Sequence, residues 1–148
     1  MKIEFKKEQF KNLLKVVYLS NWMANAIHNG TEEDPRHEEL ELIENYIFSF
    51  AKEFRFDKYV DYEEKYKQYF PTNEFDELTQ KYVEDYDEDY FWDEIFYRLS
   101  DRDFEQKYSN KEISKMEIKE RFEKEEPFRK KWDEEINNHG IERLEVKE

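Results

Sequence analysis

The chain has no cysteine, only two glycines and only three prolines among its 148 residues. Without cysteine it can form neither a disulfide bond nor a thiolate nucleophile, and a reducing compartment is its natural location. Phosphate-binding loops and dinucleotide fingerprints need clustered glycines, whereas Gly30 and Gly140 stand far apart. No serine has the two glycine neighbours of a nucleophile elbow. These absences exclude P-loop, Rossmann and nucleophile-elbow enzymes.

A long apolar run is missing as well. The most apolar stretch, LLKVVYLSNWMANAI, is interrupted by Lys15, Ser20, Asn21 and Asn25, which argues against a membrane span. The first ten residues, MKIEFKKEQF, do not contain the apolar core of a signal peptide. We therefore expect no membrane association and a cytoplasmic location.

Basic residues are in the minority, with 25 Lys and Arg against 39 Asp and Glu and a net charge of −14. This balance argues against direct binding to nucleic-acid phosphates or to anionic membranes. Two segments carry nearly all of the excess. Residues 31–64 hold twelve acidic and four basic side chains, and residues 74–94 hold ten acidic side chains and one lysine.

Histidine is scarce too, since only three are present. The sequence from His37 to Glu41, HEELE, begins like a zinc-protease helix, but Glu41 stands where the second imidazole is needed. No glutamate precedes a histidine by three positions, so the di-iron bundle pattern is also absent. The sequence therefore predicts no metal site and no cofactor.

Aromatic residues are abundant instead, at 18% of the chain, although only 37% of residues are hydrophobic and 43% are charged. Disordered chains are poor in aromatics, and each buried ring contributes a large apolar area. A chain of this length fits one core. We expect residues 1–148 to form a single acidic domain.

The scarcity of glycine and proline predicts a mainly α fold, a compact domain of five to seven helices. The first helix, over about residues 7–29, is apolar on nearly every face between Leu13 and Ile27, as expected for a buried central helix. A second amphipathic helix follows Asp34-Pro35. Four tyrosines spaced by three, four and three residues suggest a third helix; they are Tyr59, Tyr62, Tyr66 and Tyr69.

The two ends of the chain alternate apolar and charged residues. Ile3 and Phe5 do so in KIEFK, and Leu144 and Val146 do so in RLEVK. Alternation is typical of a strand, and two short strands are stable only when they pair and pack against other elements. The N- and C-terminal segments are therefore predicted to form a small two-stranded ribbon.

A candidate pocket lies on the first helix. Asn21 and Asn25 are one turn apart on an otherwise apolar helix, and Trp22 lies between them. Buried amides must find hydrogen-bond partners, so they either bind neighbouring backbone and side chains or face a ligand.

The densest acidic run is VEDYDEDYFWDE, residues 83–94. In an alignment to a calcium loop that starts at Asp85, Tyr90 replaces the turn glycine and Phe96 replaces the terminal glutamate. These replacements argue against a dedicated calcium site and leave only weak surface binding of cations. Helix electrostatics favours Asp87 or Asp89 as the N-cap of a new helix, because acids support the first turn of a helix. In the alternative, one unbroken helix places Tyr82, Tyr86 and Tyr90 on one face.

Since no catalytic motif is present, we expect a non-enzymatic binding or regulatory protein that presents an acidic, tyrosine-rich face to a basic protein partner. The residues predicted to form this face are Asp85, Tyr86, Asp87, Glu88, Asp89 and Tyr90. An alternative is a nucleic-acid mimic that inhibits a DNA- or RNA-binding protein. A third is a carboxylate-dependent enzyme, which a carboxyl group with a strongly raised pKa inside a pocket would favour.

Overall fold

The computed structural model of the chain describes residues 2–145. In chain order the elements are α1 (Lys7–Asn25), α2 (Glu38–Phe48), a short 3₁₀ helix (Asp57–Tyr59), β1 (Val60–Glu63), β2 (Gln68–Pro71), α3 (Asn73–Lys107), α4 (Asn110–Ile113) and α5 (Ile118–His139). The predicted mainly α fold is confirmed, with five α-helices and one two-stranded antiparallel sheet within the described residues. No helix of residues 2–145 combines the length and the apolar character needed to cross a membrane.

The chain divides into two compact units, one ending at Val83 and the other beginning at Glu84. The boundary falls inside α3, so this helix contributes residues to both units. We call them the N-terminal unit and the C-terminal unit.

The core of the N-terminal unit is built from α1, α2, the sheet and the first turn of α3. Its buried apolar residues are Phe10, Leu14, Val17, Phe48, Ala51, Phe56, Tyr59, Val60 and Phe75. On α1 the buried positions are four and three residues apart, which is the spacing of one helix face. The sequence suggested a helix covered on all sides, but Val16 and Met23 are exposed. Neighbouring elements therefore cover α1 on one face only.

The predicted third helix is wrong, because its tyrosines lie on or beside a β-hairpin. β1 and β2 pair in antiparallel register with Tyr62 opposite Tyr69. Those two rings are 4.8 Å apart between centroids, an aromatic cross-strand contact that stabilises a sheet. Lys67 closes the turn with a φ of 53°. A spacing of three and four residues fits a helix, but here the chain reverses between the tyrosines.

The small two-stranded sheet therefore comes from the middle of the chain and not from its ends. Residues 2–6, with Ile3 and Phe5, form no strand, and Leu144 lies in no strand either. Val146 lies outside the described residues. The predicted ribbon of the N- and C-terminal segments is therefore wrong for the described part of the chain.

The C-terminal unit consists of the rest of α3, with α4 and α5. Phe104 of α3 is buried and meets Phe128 of α5 edge-on, with ring centroids 5.9 Å apart. Asp103 accepts hydrogen bonds from Trp132 Nε1 at 2.9 Å and from Lys131 Nζ at 2.7 Å. Aromatic packing and this polar contact join α3 to α5.

Candidate functional site

A cavity of about 330 Å³ opens in the N-terminal unit and is bordered by α1, α2 and β2. We call it the Glu44 cavity. Its lining residues are Tyr18, Asn21 and Trp22 of α1, Glu41, Glu44 and Asn45 of α2, Gln68, Tyr69, Phe70 and Pro71 of β2, and Arg36. Two of the three residues predicted from the first helix, Asn21 and Trp22, therefore line a cavity.

Asn25, the third predicted residue, does not line the cavity. It is buried, and its Oδ1 accepts a hydrogen bond from the backbone N–H of His37 at 2.7 Å. Its Nδ2 donates to Oδ1 of Asn21 at 2.6 Å. Asn25 thereby joins the end of α1 to the residue before α2, and it holds the Asn21 amide in one orientation.

The fixed amide of Asn21 donates from its Nδ2 to Oε2 of Glu44. Glu44 is only 9% exposed, which is rare for a glutamate without a basic partner. Burial disfavours the charged form and raises the pKa of Glu44 to about 7, although the Asn21 hydrogen bond acts in the opposite direction. At neutral pH the carboxyl group is thus close to half protonated.

Three other polar side chains of the cavity have partners. Arg36 Nε lies 2.7 Å from Glu41 Oε1. Asn45 Nδ2 donates to the backbone carbonyl of Tyr69 at 3.3 Å, which ties α2 to β2. The Tyr18 hydroxyl donates to Asp76, and burial together with this carboxylate raises the pKa of Tyr18. Only one oxygen of Glu44, Oε2, accepts a hydrogen bond from a side chain of residues 2–145, and Oε1 accepts none.

No sequence pattern singled out Glu44, although a signal exists. Leu40 and Phe48 are four residues to either side of it, and Phe48 is fully buried. An acid at the centre of such a spacing lies on the buried helix face. Leu40, Ile43 and Ile47 have the three-and-four spacing of an apolar helix face in the sequence, but Ile43 is 45% exposed. The buried face of α2 therefore lies about one position away from the face that this spacing indicates.

The second candidate site is the acidic segment, residues 84–94 of α3. The interpretation of Asp87 or Asp89 as an N-cap is wrong, because α3 runs without a break from Asn73 to Lys107. No glycine or proline occurs in that range, so nothing in the local sequence breaks the helix. The alternative of one unbroken helix is confirmed.

No family model, curated protein or solved structure matches this chain. Within residues 2–145 the structure has no group of three or more His, Asp or Glu side chains that can hold a metal ion. The Glu44 cavity and the acidic segment are therefore the two features of the described residues that bear on function.

Residues 84–91 are all exposed. Eight consecutive residues make more than two helical turns, so this part of α3 is uncovered on every side. Five of the eight are acidic, and the six residues predicted for the binding face are among them. The rings of Tyr86 and Tyr90 stack, with centroids 5.8 Å apart and planes 7° from parallel, and each residue is about half exposed. The tyrosine pair thus forms a flat aromatic surface beside the carboxylates.

The acidic segment contains repulsive pairs. Glu84 and Glu88 are one turn apart, as are Asp85 and Asp89, and like charges at this spacing destabilise a helix. No basic residue occurs between Lys81 and Arg98. Glu88 does accept a hydrogen bond from Trp92 Nε1 at 2.6 Å, but this contact does not neutralise its charge.

Proposed function

We propose that the protein is a non-enzymatic binding or regulatory protein whose acidic segment docks onto a basic partner protein. The observation that carries the proposal is the exposure of residues 84–91 around the whole circumference of an unbroken helix. A helix that is uncovered on every side for two turns gains nothing from core packing. A surface of this kind serves recognition better than it serves stability.

A basic partner would relieve the repulsion between neighbouring carboxylates of the acidic segment. Each like-charged pair one turn apart costs about 0.2–0.5 kcal/mol in an isolated helix, and a cation placed between the two acids converts that cost into attraction. The stacked faces of Tyr86 and Tyr90 add contact area, and tyrosine rings bind guanidinium and ammonium groups through cation–π contacts.

Charge also sets how such a complex forms. A net charge of −14 with a local concentration of acids attracts a basic surface over distances of about a Debye length, roughly 10 Å at 0.1 M salt. Association is then fast at low ionic strength and weak at high ionic strength. The salt dependence of binding is therefore a direct readout of the proposal.

The test compares two triple variants that lose the same amount of charge. One is Asp85→Asn, Glu88→Gln and Asp89→Asn in the acidic segment. The control is Glu32→Gln, Glu33→Gln and Glu64→Gln, at exposed acids elsewhere. We expect the wild type and the control to capture the same basic partner from lysate at about 50 mM NaCl and to release it at about 500 mM. The segment variant is expected to bind it at least about tenfold more weakly.

Equal loss of binding in both triple variants would show that total charge, and not the acidic segment, is recognised. Failure of the wild type to capture any basic protein would also sink the proposal. The nucleic-acid-mimic alternative is tested on the captured partner. If that partner binds nucleic acid, and a double-stranded oligonucleotide displaces this protein from it, the partner surface is a nucleic-acid groove.

Glu44 bears on the carboxylate-enzyme alternative, because it is a carboxyl group with a raised pKa in a cavity. Acid–base hydrolysis by paired carboxylates needs a second free carboxylate with a different role. The second carboxylate at this cavity, Glu41, is paired with Arg36. A binding role is therefore better supported than a catalytic one.

A further inference from the structure

We propose that the Glu44 cavity binds a small organic ligand that carries a protonated amine on an apolar body. This site is separate from the acidic segment and does not depend on the function proposed above.

The size of the cavity fits a small ligand. Ligand pockets usually measure about 300–1,000 Å³, and this one, at about 330 Å³, lies at the small end. Its residues come from three elements and not from one helix end or one loop.

The carboxylate that would bind the amine is held in place before any ligand arrives. Asn21 contacts Oε2 of Glu44, Asn25 holds Asn21, and the backbone of His37 holds Asn25. Each link is an amide hydrogen bond, so the chain resists rotation of the Glu44 side chain. Groups positioned in this way lose little entropy on binding.

The charges around Glu44 select a cation. From α1 it faces the uncharged Tyr18 and Asn21, from α2 it faces Glu41, and Arg36 lies at the edge of the same cavity. β2 contributes no charged side chain to the lining. Since Arg36 and Glu41 neutralise each other, the lining of the cavity has one net negative charge when Glu44 is ionised. An anionic ligand would be repelled, and a neutral one would leave the buried carboxylate without a counter-charge.

The other walls of the cavity suit an apolar body. Trp22, Tyr69, Phe70 and Pro71 are lining residues, and three of them are aromatic. Aromatic rings bind both apolar groups and the face of an organic cation. The cavity thus joins one carboxylate to an aromatic surface, which is the complement of an arylalkyl or alkyl amine.

The affinity of the cavity for a protonated amine should depend on pH, because a proton on Glu44 competes with the ligand. A protonated amine binds the ionised form of Glu44, and burial keeps part of that group protonated at neutral pH because its pKa is about 7. Raising the pH from about 6 to about 8 removes this competing proton, and the affinity should rise over that range. Benzylamine itself stays protonated there.

The experiment uses the full chain and three probes of the same shape: benzylamine, benzyl alcohol and benzoate. Binding is followed by nuclear magnetic resonance through the side-chain signals of Trp22 and Asn21. We expect saturable shifts with benzylamine and at least about tenfold weaker binding of benzyl alcohol and benzoate. Glu44→Gln keeps the size and the acceptor for Asn21. It should weaken benzylamine binding at least about tenfold, and it should not weaken the binding of benzyl alcohol. The control is Glu53→Gln, at an exposed acid of the same unit.

Three results would overturn the proposal. They are the absence of saturable shifts with benzylamine, benzylamine binding no tighter than benzyl alcohol, and unchanged benzylamine affinity in Glu44→Gln. The triple variant Asp85→Asn, Glu88→Gln and Asp89→Asn should bind benzylamine like the wild type, which keeps this test independent of partner docking.

Discussion

Glu44 carries a carboxyl group into the interior of the N-terminal unit with one amide donor, Asn21, and no cation of its own. Its pKa is raised from 4.5 to about 7. Between these two pH values the folded state holds a proton that the unfolded state has already released. The free energy of unfolding contributed by this group therefore falls as the pH rises through that range, and it stays low above about pH 7.

Replacing Glu44 with glutamine removes this cost. We expect Glu44→Gln to be more stable than the wild type at about pH 8, by on the order of 2–3 kcal/mol, and the difference to shrink toward zero near pH 4.5. Urea unfolding at about pH 8 and about pH 5 measures it, with Glu53→Gln as the control. The same stability difference at both pH values would contradict the prediction.

At the scale of elements, the turn of the hairpin contains a residue in an unfavourable backbone conformation. Lys67 closes the hairpin with a φ of 53°, in the left-handed region of backbone conformation that residues other than glycine and asparagine rarely adopt. The chain accepts this cost because the turn sets the register that brings Tyr62 opposite Tyr69. Arg55 is in the same region of backbone conformation, with a φ of 61°.

Relief of the strain at Lys67 gives a prediction for the hairpin. Lys67→Gly should raise the free energy of unfolding by about 0.5 kcal/mol, because the relieved strain of roughly 1 kcal/mol exceeds the added freedom of the unfolded chain. Lys65→Gly is the matched control in the same turn, since Lys65 does not have a positive φ, and it should destabilise. Thermal unfolding of the two variants compares them, and equal effects would show that Lys67 is unstrained.

At the scale of the whole molecule, charge dominates. With a net charge of −14 on 148 residues, repulsion among the acidic side chains destabilises the folded state. Surface ion pairs such as Arg98–Glu94 stabilise it by about 0.3–0.5 kcal/mol each. Salt screens both terms, but the repulsion acts among many more pairs.

We therefore expect the melting temperature to be higher in about 500 mM NaCl than in about 20 mM NaCl, by a few degrees. Circular dichroism follows the transition. The triple variant Asp85→Asn, Glu88→Gln and Asp89→Asn should gain less from salt than the wild type, because part of its repulsion is already gone. A melting temperature that falls with salt would mean that ion pairs outweigh the repulsion.

Local rules predict much of this protein. Few glycines and prolines indicate helices, the apolar stretch from Leu13 to Ile27 indicates a core helix, and the lack of cysteine and of clustered glycine excludes several enzyme classes. The sequence does not show that only the face with Phe10, Leu14 and Val17 is buried. The sequence predicts Asn21 and Trp22 as pocket residues because side-chain amides are unusual on an apolar helix and Trp22 lies next to Asn21. Such signals depend on residues within one or two turns of each other, and short spacings are visible in the sequence.

Tertiary structure decided the rest, since the deciding partners are far apart in the chain. The tyrosines at 62 and 69 have a helical spacing, and only pairing across the turn makes them a hairpin. The acids at 87 and 89 are a different case: they resemble caps, yet α3 continues through them, and the cause is local because no glycine or proline breaks the helix. Glu44 looks like any surface acid until Asn21, 23 positions earlier, and β2, some 24 positions later, enclose it and raise its pKa. Burial and its electrostatic consequences belong to the folded chain, whereas helix preference belongs to its residues.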